Sequence, residues 1–359
     1  MSKYQKETPK INTIGGASNP FAIAELILGR KIDWESIENK KEILEATVGK
    51  ECDPFSPIYN IENFLKALGD PWGTGDGNPP NWEYVGEFFV GAPEVTDVIQ
   101  RIEPDCAFMA ALASVVWARP FVIAKKTKAT DNKVDLIEFY DQANNVWVTV
   151  EVTEKLPVDP KHRLIYAQSR DKGGIWACVY EKAYAKWKIP VITDQPDIME
   201  LKNLNGVSSI VDLTGLKPTT SFDPQKLTED EIIATIVSQS FCGKTLNPMV
   251  ACTFKVDEGS KMCKLYKSVD IIEDHCYSIL GWKYVNNQYY IVLRNPWGQN
   301  LHSGATSYTA NGDWAYYDVD VANPTVPGVW RKITLPNNGI FAFDVKCFKK
   351  CFKDFGGAN

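Results

Sequence analysis

The sequence predicts an α+β protein, with a helix-rich first subdomain and a β-rich second subdomain. Two patterns predict it. Before residue 190 the long apolar segments have helical spacing: EPDCAFMAALASVVWA (103–118) is apolar on nearly every face, and GGIWACVYEKAYAKW (173–187) carries a helical repeat. From Met249 onward, MVACTFKV, DHCYSILGWKYV, QYYIVLRN and GIFAFDV alternate or run continuously in β-branched and aromatic residues, as strands do.

In chain order, residues 1–55 read as an N-terminal extension, in which ENKKEILEATVGK is a surface helix. Residues 56–215 form the first subdomain. Its loop Gly69–Trp82, GDPWGTGDGNPPNW, is dense in turn-formers. The helix from 103 follows, and a helix apolar all round belongs in a core. KVDLIEFY and NNVWVTVEV are strands, and 173–187 is a packing helix. A break at VDLTGLKPTTSFDP (211–224) leads into the second subdomain, residues 216–352. There Thr228 and Glu231 in LTEDEIIATIV have the spacing of a capping box, so a helix starts at that point.

Composition narrows the function. With 44% hydrophobic and 23% charged residues over 359 positions, the chain is an ordinary globular protein long enough for one large domain or two lobes. A net charge of −6 gives no reason to expect nucleic acid or anionic lipid as a partner. No apolar run is long enough for a membrane span, and no secretory leader is visible. Nine cysteines are an odd number without CxxC spacing, which argues against zinc and against a disulfide scaffold. Mostly free thiols and a cytoplasmic location are expected.

The chemistry starts at Cys106. Pro104 suits the opening turn of a helix, so Cys106 falls at the N-terminus, where a thiol pKa is lowered. Three histidines are available. His162, in VDPKHRLIY, lies beside a turn, and His302, in QNLHSGATS, lies in a polar loop. His275, in EDHCYSILGW, opens a strand and is best placed to be held still. A hairpin centred near residue 285 places His275 opposite Asn295, whose amide can orient the ring. Each residue alone has a plainer reading, since cysteines pack, histidines fill strand ends and Asn-Pro marks turns. Together, a helix-start cysteine, a distant histidine and then an asparagine follow the chain order of papain-type proteases.

The motifs FFVGAP, TDVIQRIEPDCAF, WVTVEVTEKLPV, IWACVYEKAYAK, DLTGL, DHCYSI and VLRNPWG, in this order, resemble the calpain family of cysteine proteases from about Phe88 to Phe352. The resemblance implies a papain-like fold and an intracellular cysteine endopeptidase acting on protein substrates. It implies Cys106 as nucleophile, His275 as general base and acid, and Asn295 as the group orienting it. It further implies Gln100 as an oxyanion-hole donor and Trp297 as a shield over the His275–Asn295 bond. Arg101 and Pro104 stand where the family has glycines, and Ala107 where it has tryptophan, so the S1 subsite is expected to differ. Of the family's two calcium sites, the first retains Asp97 with the Val90 and Ala92 carbonyls and has Gly174 for its second acid. The second has Leu301, Asn338 and Ile340 at its acidic positions. No cofactor is therefore expected to be required, and any calcium would bind weakly through the remnant first site. Cys276, beside His275, is expected to face the opposite side of its strand. Two rivals stand beside the endopeptidase. An acyl-transferring relative normally has aspartate in place of Asn295. An inactive calpain-like binding or regulatory protein is favoured by Arg101, Pro104 and the missing calcium acids. Substrate identity and any regulatory partner are not legible.

Overall fold

The computed structural model describes residues 70–359 apart from 71, 76, 102, 130–131, 171–172, 258, 300–307 and 324. The expected N-terminal extension and its surface helix lie outside the described residues, as do His302 and Leu301.

Strand β1 (Asn81–Tyr84) precedes the apolar helix α1 (Cys106–Ala118). Helix formers such as Ala, Leu and Met fill α1, and every residue from Ala107 to Ala118 is buried. Arg119 and Pro120 end it, and a short helix α2 (Phe121–Lys126) follows. Strands β2 (Thr127–Ala129), β3 (Val134–Asp141) and β4 (Val146–Thr153) form a three-stranded antiparallel sheet, and β5 (Lys155–Val158) pairs with β1. Helices α3 (Trp176–Lys188) and α4 (Gly206–Thr214) complete the first part. Gly215, at φ +66, closes α4 in the left-handed conformation that glycine tolerates best.

The second part opens with α5 (Glu229–Ser238), capped by Thr228 and Glu231 as their spacing predicts. Strands β6 (Ser240–Phe241) and β7 (Lys244–Thr253), helix α6 (Lys261–Val269), then strands β8 (Cys276–Val285) and β9 (Gln288–Arg294) follow. Strands β10 (Gly312–Asp318) and β11 (Val329–Leu335) pair as a separate ribbon. Strand β12 (Ile340–Asp344), helix α7 (Val345–Cys351) and strand β13 (Phe352–Gly357) end the fold. The main sheet runs β12-β9-β8-β7-β13, all antiparallel. Its edge strand continues to Gly357, past residue 352, where the sequence reading ended the second subdomain.

Two apolar clusters lie on opposite faces of this sheet. Val250, Cys252, Cys276, Leu280 and Val292 point into the cluster that contains α1, α3 and α4. Ala251, Tyr277, Ile279, Ile291 and Leu293 point into the other, beneath α5, α6 and α7. This is the period-two alternation of strands with both faces covered. The second part therefore carries three helices on its sheet, more than its mostly strand-like sequence suggested.

The candidate active site

Cys106 is the first residue of α1, with Asp105 at the N-cap position. Its sulfur accepts from the backbone amides of Cys276 and Ala107. The helix N-terminus does not lower this thiol as expected. Burial pushes it up to about 12, the charges of Asp105 and Asp274 push the same way, and the two amides only partly offset them.

His275 sits one residue before β8 and is buried. Its Nε2 lies 2.9 Å from Asn295 Oδ1. The Trp297 ring stands 4.9 Å from the imidazole, centroid to centroid, and the Trp297 amide donates to the same Asn295 oxygen at 3.1 Å. Burial lowers the His275 pKa to about 4, against the Asn295 hydrogen bond, which raises it. Both shifts favour the uncharged forms, a neutral thiol and a neutral imidazole. Because Asn295 Oδ1 can only accept, Nε2 carries the proton and Nδ1 keeps its lone pair.

Histidine and asparagine meet by a different register from the one the sequence suggested. The turn is Asn286–Asn287, both with positive φ, so Val285 pairs with Gln288. A bulge between Ile279 and Gly281 then shifts the ladder, and Ser278 faces Arg294. Asn295 lies beyond the end of β9, in a turn closed by Gly298 N–H to Asn295 O at 3.0 Å. The side chain reaches His275 from that turn, not from a paired strand position.

Gln100 is buried, and its Nε2 donates to the Glu103 carbonyl at 2.7 Å. Its amide N–H bonds Pro296 O at 2.9 Å, which ties the approach to Cys106 to the turn carrying Asn295. One of the two Nε2 hydrogens remains for another acceptor. His162 is exposed and paired with Glu83 at 2.8 Å, a solvated loop residue as expected.

Sequence reasoning missed two features. The first is a disulfide between Cys252 and Cys276 beside His275, where free thiols were expected. The second is a buried group of acids, Glu103, Asp105 and Glu181, whose oxygens lie within 4.8 Å of one another. Burial raises all three pKa values, those of Asp105 and Glu181 strongly. Both Asp105 oxygens and Glu103 Oε2 have no hydrogen-bond partner among the described residues. Burial thus favours the protonated forms of these acids, and Glu103 and Glu181 bond each other.

A raised carboxyl pKa means that the folded state holds protons the unfolded chain releases. The cluster's stabilising contribution is thus complete at acid pH and lost as pH rises through the raised values. Glu103→Gln keeps an acceptor for the Arg101 amide, now at 2.9 Å, and offers a donor to Asp105. It should stabilise the protein by about 1–2 kcal/mol at pH 8, with the gain shrinking toward pH 4. Urea unfolding of both proteins across that range measures the difference.

The calcium positions fit an ion poorly. Asp97 Oδ2 already accepts from the Glu94 amide at 2.9 Å and the Trp176 indole at 3.0 Å. The buried Arg294 guanidinium, donating to Val98 O at 2.6 Å, supplies a positive charge that interacts with Asp97. Val90 and Ala92 are exposed and offer only carbonyls, and Gly174 offers no carboxylate. Asn338 accepts from Arg170, and Ile340 is buried among apolar residues. An ion that needs about six to eight oxygens finds, among the described residues of these positions, one carboxylate, that of Asp97.

An α+β fold with a cysteine opening a buried helix and a histidine–asparagine pair at the ends of neighbouring strands defines the papain-like architecture. The family described as calpain family cysteine protease matches residues 79–355, and the chain belongs to it. Similar proteins include a thiol protease of Porphyromonas gingivalis, 25% identical over 63% of this chain and 49% of that protein. Human calpain-8 is 26% identical over 65% of this chain and 32% of its own length. Mouse calpain-9 is 25% identical over 75% and 36%. The chain thus spans between about a third and a half of the curated relatives it matches. Among the described residues no helix is long and apolar enough to cross a membrane.

Proposed function

We propose that the chain is a cysteine endopeptidase that hydrolyses peptide bonds in protein substrates through Cys106, His275 and Asn295, without a calcium requirement. The observation that carries this reading is the 2.9 Å bond from His275 Nε2 to Asn295 Oδ1 under Trp297, with the Cys106 sulfur against the amide of the residue after His275. That bond leaves Nδ1 free to take the thiol proton. As Sγ attacks the carbonyl, the proton moves to Nδ1, so the two unfavourable charges form together and attract each other. The oxyanion is held by the Cys106 N–H and the remaining Gln100 Nε2 hydrogen; one such donor contributes about 3–4 kcal/mol. The imidazolium then protonates the leaving amine and next activates water against the thioester.

A second reading is an inactive calpain-like binding or regulatory protein. It is favoured by the thiol's rise to about 12 and by the engagement of Gln100 with Glu103. Incubation with an epoxide thiol-protease inhibitor, in micromolar calcium and in chelator, separates the two. Labelling confined to Cys106 at equal rates in both conditions is the expected result. No labelling in either condition supports the binding reading. Labelling that needs calcium would overturn the calcium independence alone.

A further inference from the structure

The Cys252–Cys276 disulfide lies beside both His275 and Cys106. Cys276 directly follows His275, and its amide is a hydrogen-bond donor to the Cys106 sulfur. Cys252 is its cross-strand partner on β7. Both cysteines point toward α1, and Cys106 packs against the same cluster. The next residue on β7, Thr253, brackets the base. Its amide donates to His275 O at 2.9 Å, and its hydroxyl accepts from His275 N at 3.0 Å while donating to Ile272 O at 2.7 Å. Before His275, Asp274 has a φ of +45, a left-handed turn conformation uncommon for non-glycine residues, though aspartate is among those that adopt it most readily.

β7 is in turn fixed to the nucleophile helix. Ser114 of α1 accepts from Met249 N at 2.6 Å and donates to Met249 O at 2.8 Å. Ser278 of β8 donates to Ala110 O at 2.7 Å. A frame therefore runs from α1 through β7 and the disulfide to Cys276, closing on the sulfur of Cys106. Among the described residues the imidazole itself has one hydrogen bond, to Asn295, so its placement against the thiol depends on where this backbone is held.

We propose that the Cys252–Cys276 disulfide, with Thr253, positions His275 against Cys106, so that the working protein keeps Cys106 reduced while the neighbouring pair stays oxidised. This rests on the peptidase reading. A dithiol reductant donates two electrons to the pair, giving two thiols and its own cyclic disulfide. β7 and β8 then hold His275 by hydrogen bonds alone. A thiol enzyme is ordinarily helped by reductant; this one should lose rate once the pair is reduced. The arrangement also suits a compartment less reducing than the cytosol.

The test uses epoxide labelling of Cys106, with the inactivation rate separated from inhibitor affinity. Non-reduced peptide mapping of the wild-type protein should find the 252–276 link with Cys106 free. Reduction of that link, followed by mass spectrometry, should lower the maximal inactivation rate about tenfold with affinity unchanged, as expected of a misplaced base. Its pH profile should shift as well, which a mere loss of stability would not produce. Cys252→Ala/Cys276→Ala should behave like the reduced protein, and Cys242→Ser should respond to reductant as wild type does. If the double variant does not fold, graded reduction of the wild-type chain gives the answer alone. Equal rates and pH profiles with the pair intact and reduced would overturn the proposal, as would mapping that finds no link. Failure of the oxidised wild type to label at Cys106 overturns the peptidase reading instead.

Discussion

His275→Ala is expected to slow epoxide labelling of Cys106 about a thousandfold at pH 7, and the lost rate should return steadily as pH rises. With the Cys106 thiol pKa pushed up to about 12, only about one part in 10⁵ is thiolate at pH 7 without help. An exposed cysteine near its ordinary pKa has far more and reacts without a base. Here a base must take the proton during attack, and His275 is the group whose Nδ1 is left free for it. Without the imidazole, the rate should follow the thiolate fraction and rise tenfold per pH unit between pH 7 and 10. The wild-type profile should instead be flat above the His275 pKa of about 4. A variant rate that stays level across that range would show that another group deprotonates Cys106. Asn295→Ala should fall between the two, because it keeps the ring but loosens its orientation.

Much of this site was legible in the sequence, for identifiable reasons. The runs Cys276–Val285 and Gln288–Arg294 were legible as strands because they are dense in aromatic and β-branched residues, as strands covered on both faces are. Thr228 and Glu231 marked a helix start because a capping box is a local device that owes nothing to tertiary structure. The hairpin register was not legible. It depends on the bulge near Leu280, which Gly281 accommodates with its backbone against Gly243 O, a non-local contact. The thiol pKa was missed for a similar reason. A helix N-terminus is visible in a sequence, whereas the burial that outweighs it, and the charge of Asp274, come from segments that only the tertiary fold brings against Cys106. Nor could nine scattered cysteines show that 252 and 276 are neighbours, since that follows from the β7–β8 pairing.

The segment EKAYAK shows how far a packing reading falls short, and it carries the largest expected effect on stability. Lys182 of α3 is wholly buried, as is Glu181 beside it. Its ammonium donates to Thr153 O at 2.8 Å, Lys155 O at 2.9 Å and Asp194 Oδ2 at 2.9 Å. One cation thus satisfies the carbonyls between β4 and β5 and a carboxylate from the loop after α3. Lys182→Met removes the charge and leaves those acceptors facing an apolar side chain. The expected cost is about 3–5 kcal/mol, read as a lowered urea midpoint. Burial lowers the Lys182 pKa to about 8, so the folded state gives up this proton before the unfolded chain does. The lysine's contribution is therefore largest above its unfolded value and falls as pH drops through about 8. The gap between wild type and Lys182→Met should widen as pH rises from 8 toward 10. Lys332 makes an ion pair of similar length, 2.8 Å to Asp313, but both groups are exposed, and Lys332→Met should leave the midpoint unmoved. If the two substitutions cost the same, burial is not what gives Lys182 its weight, and the EKAYAK lysine acts through something other than these three acceptors.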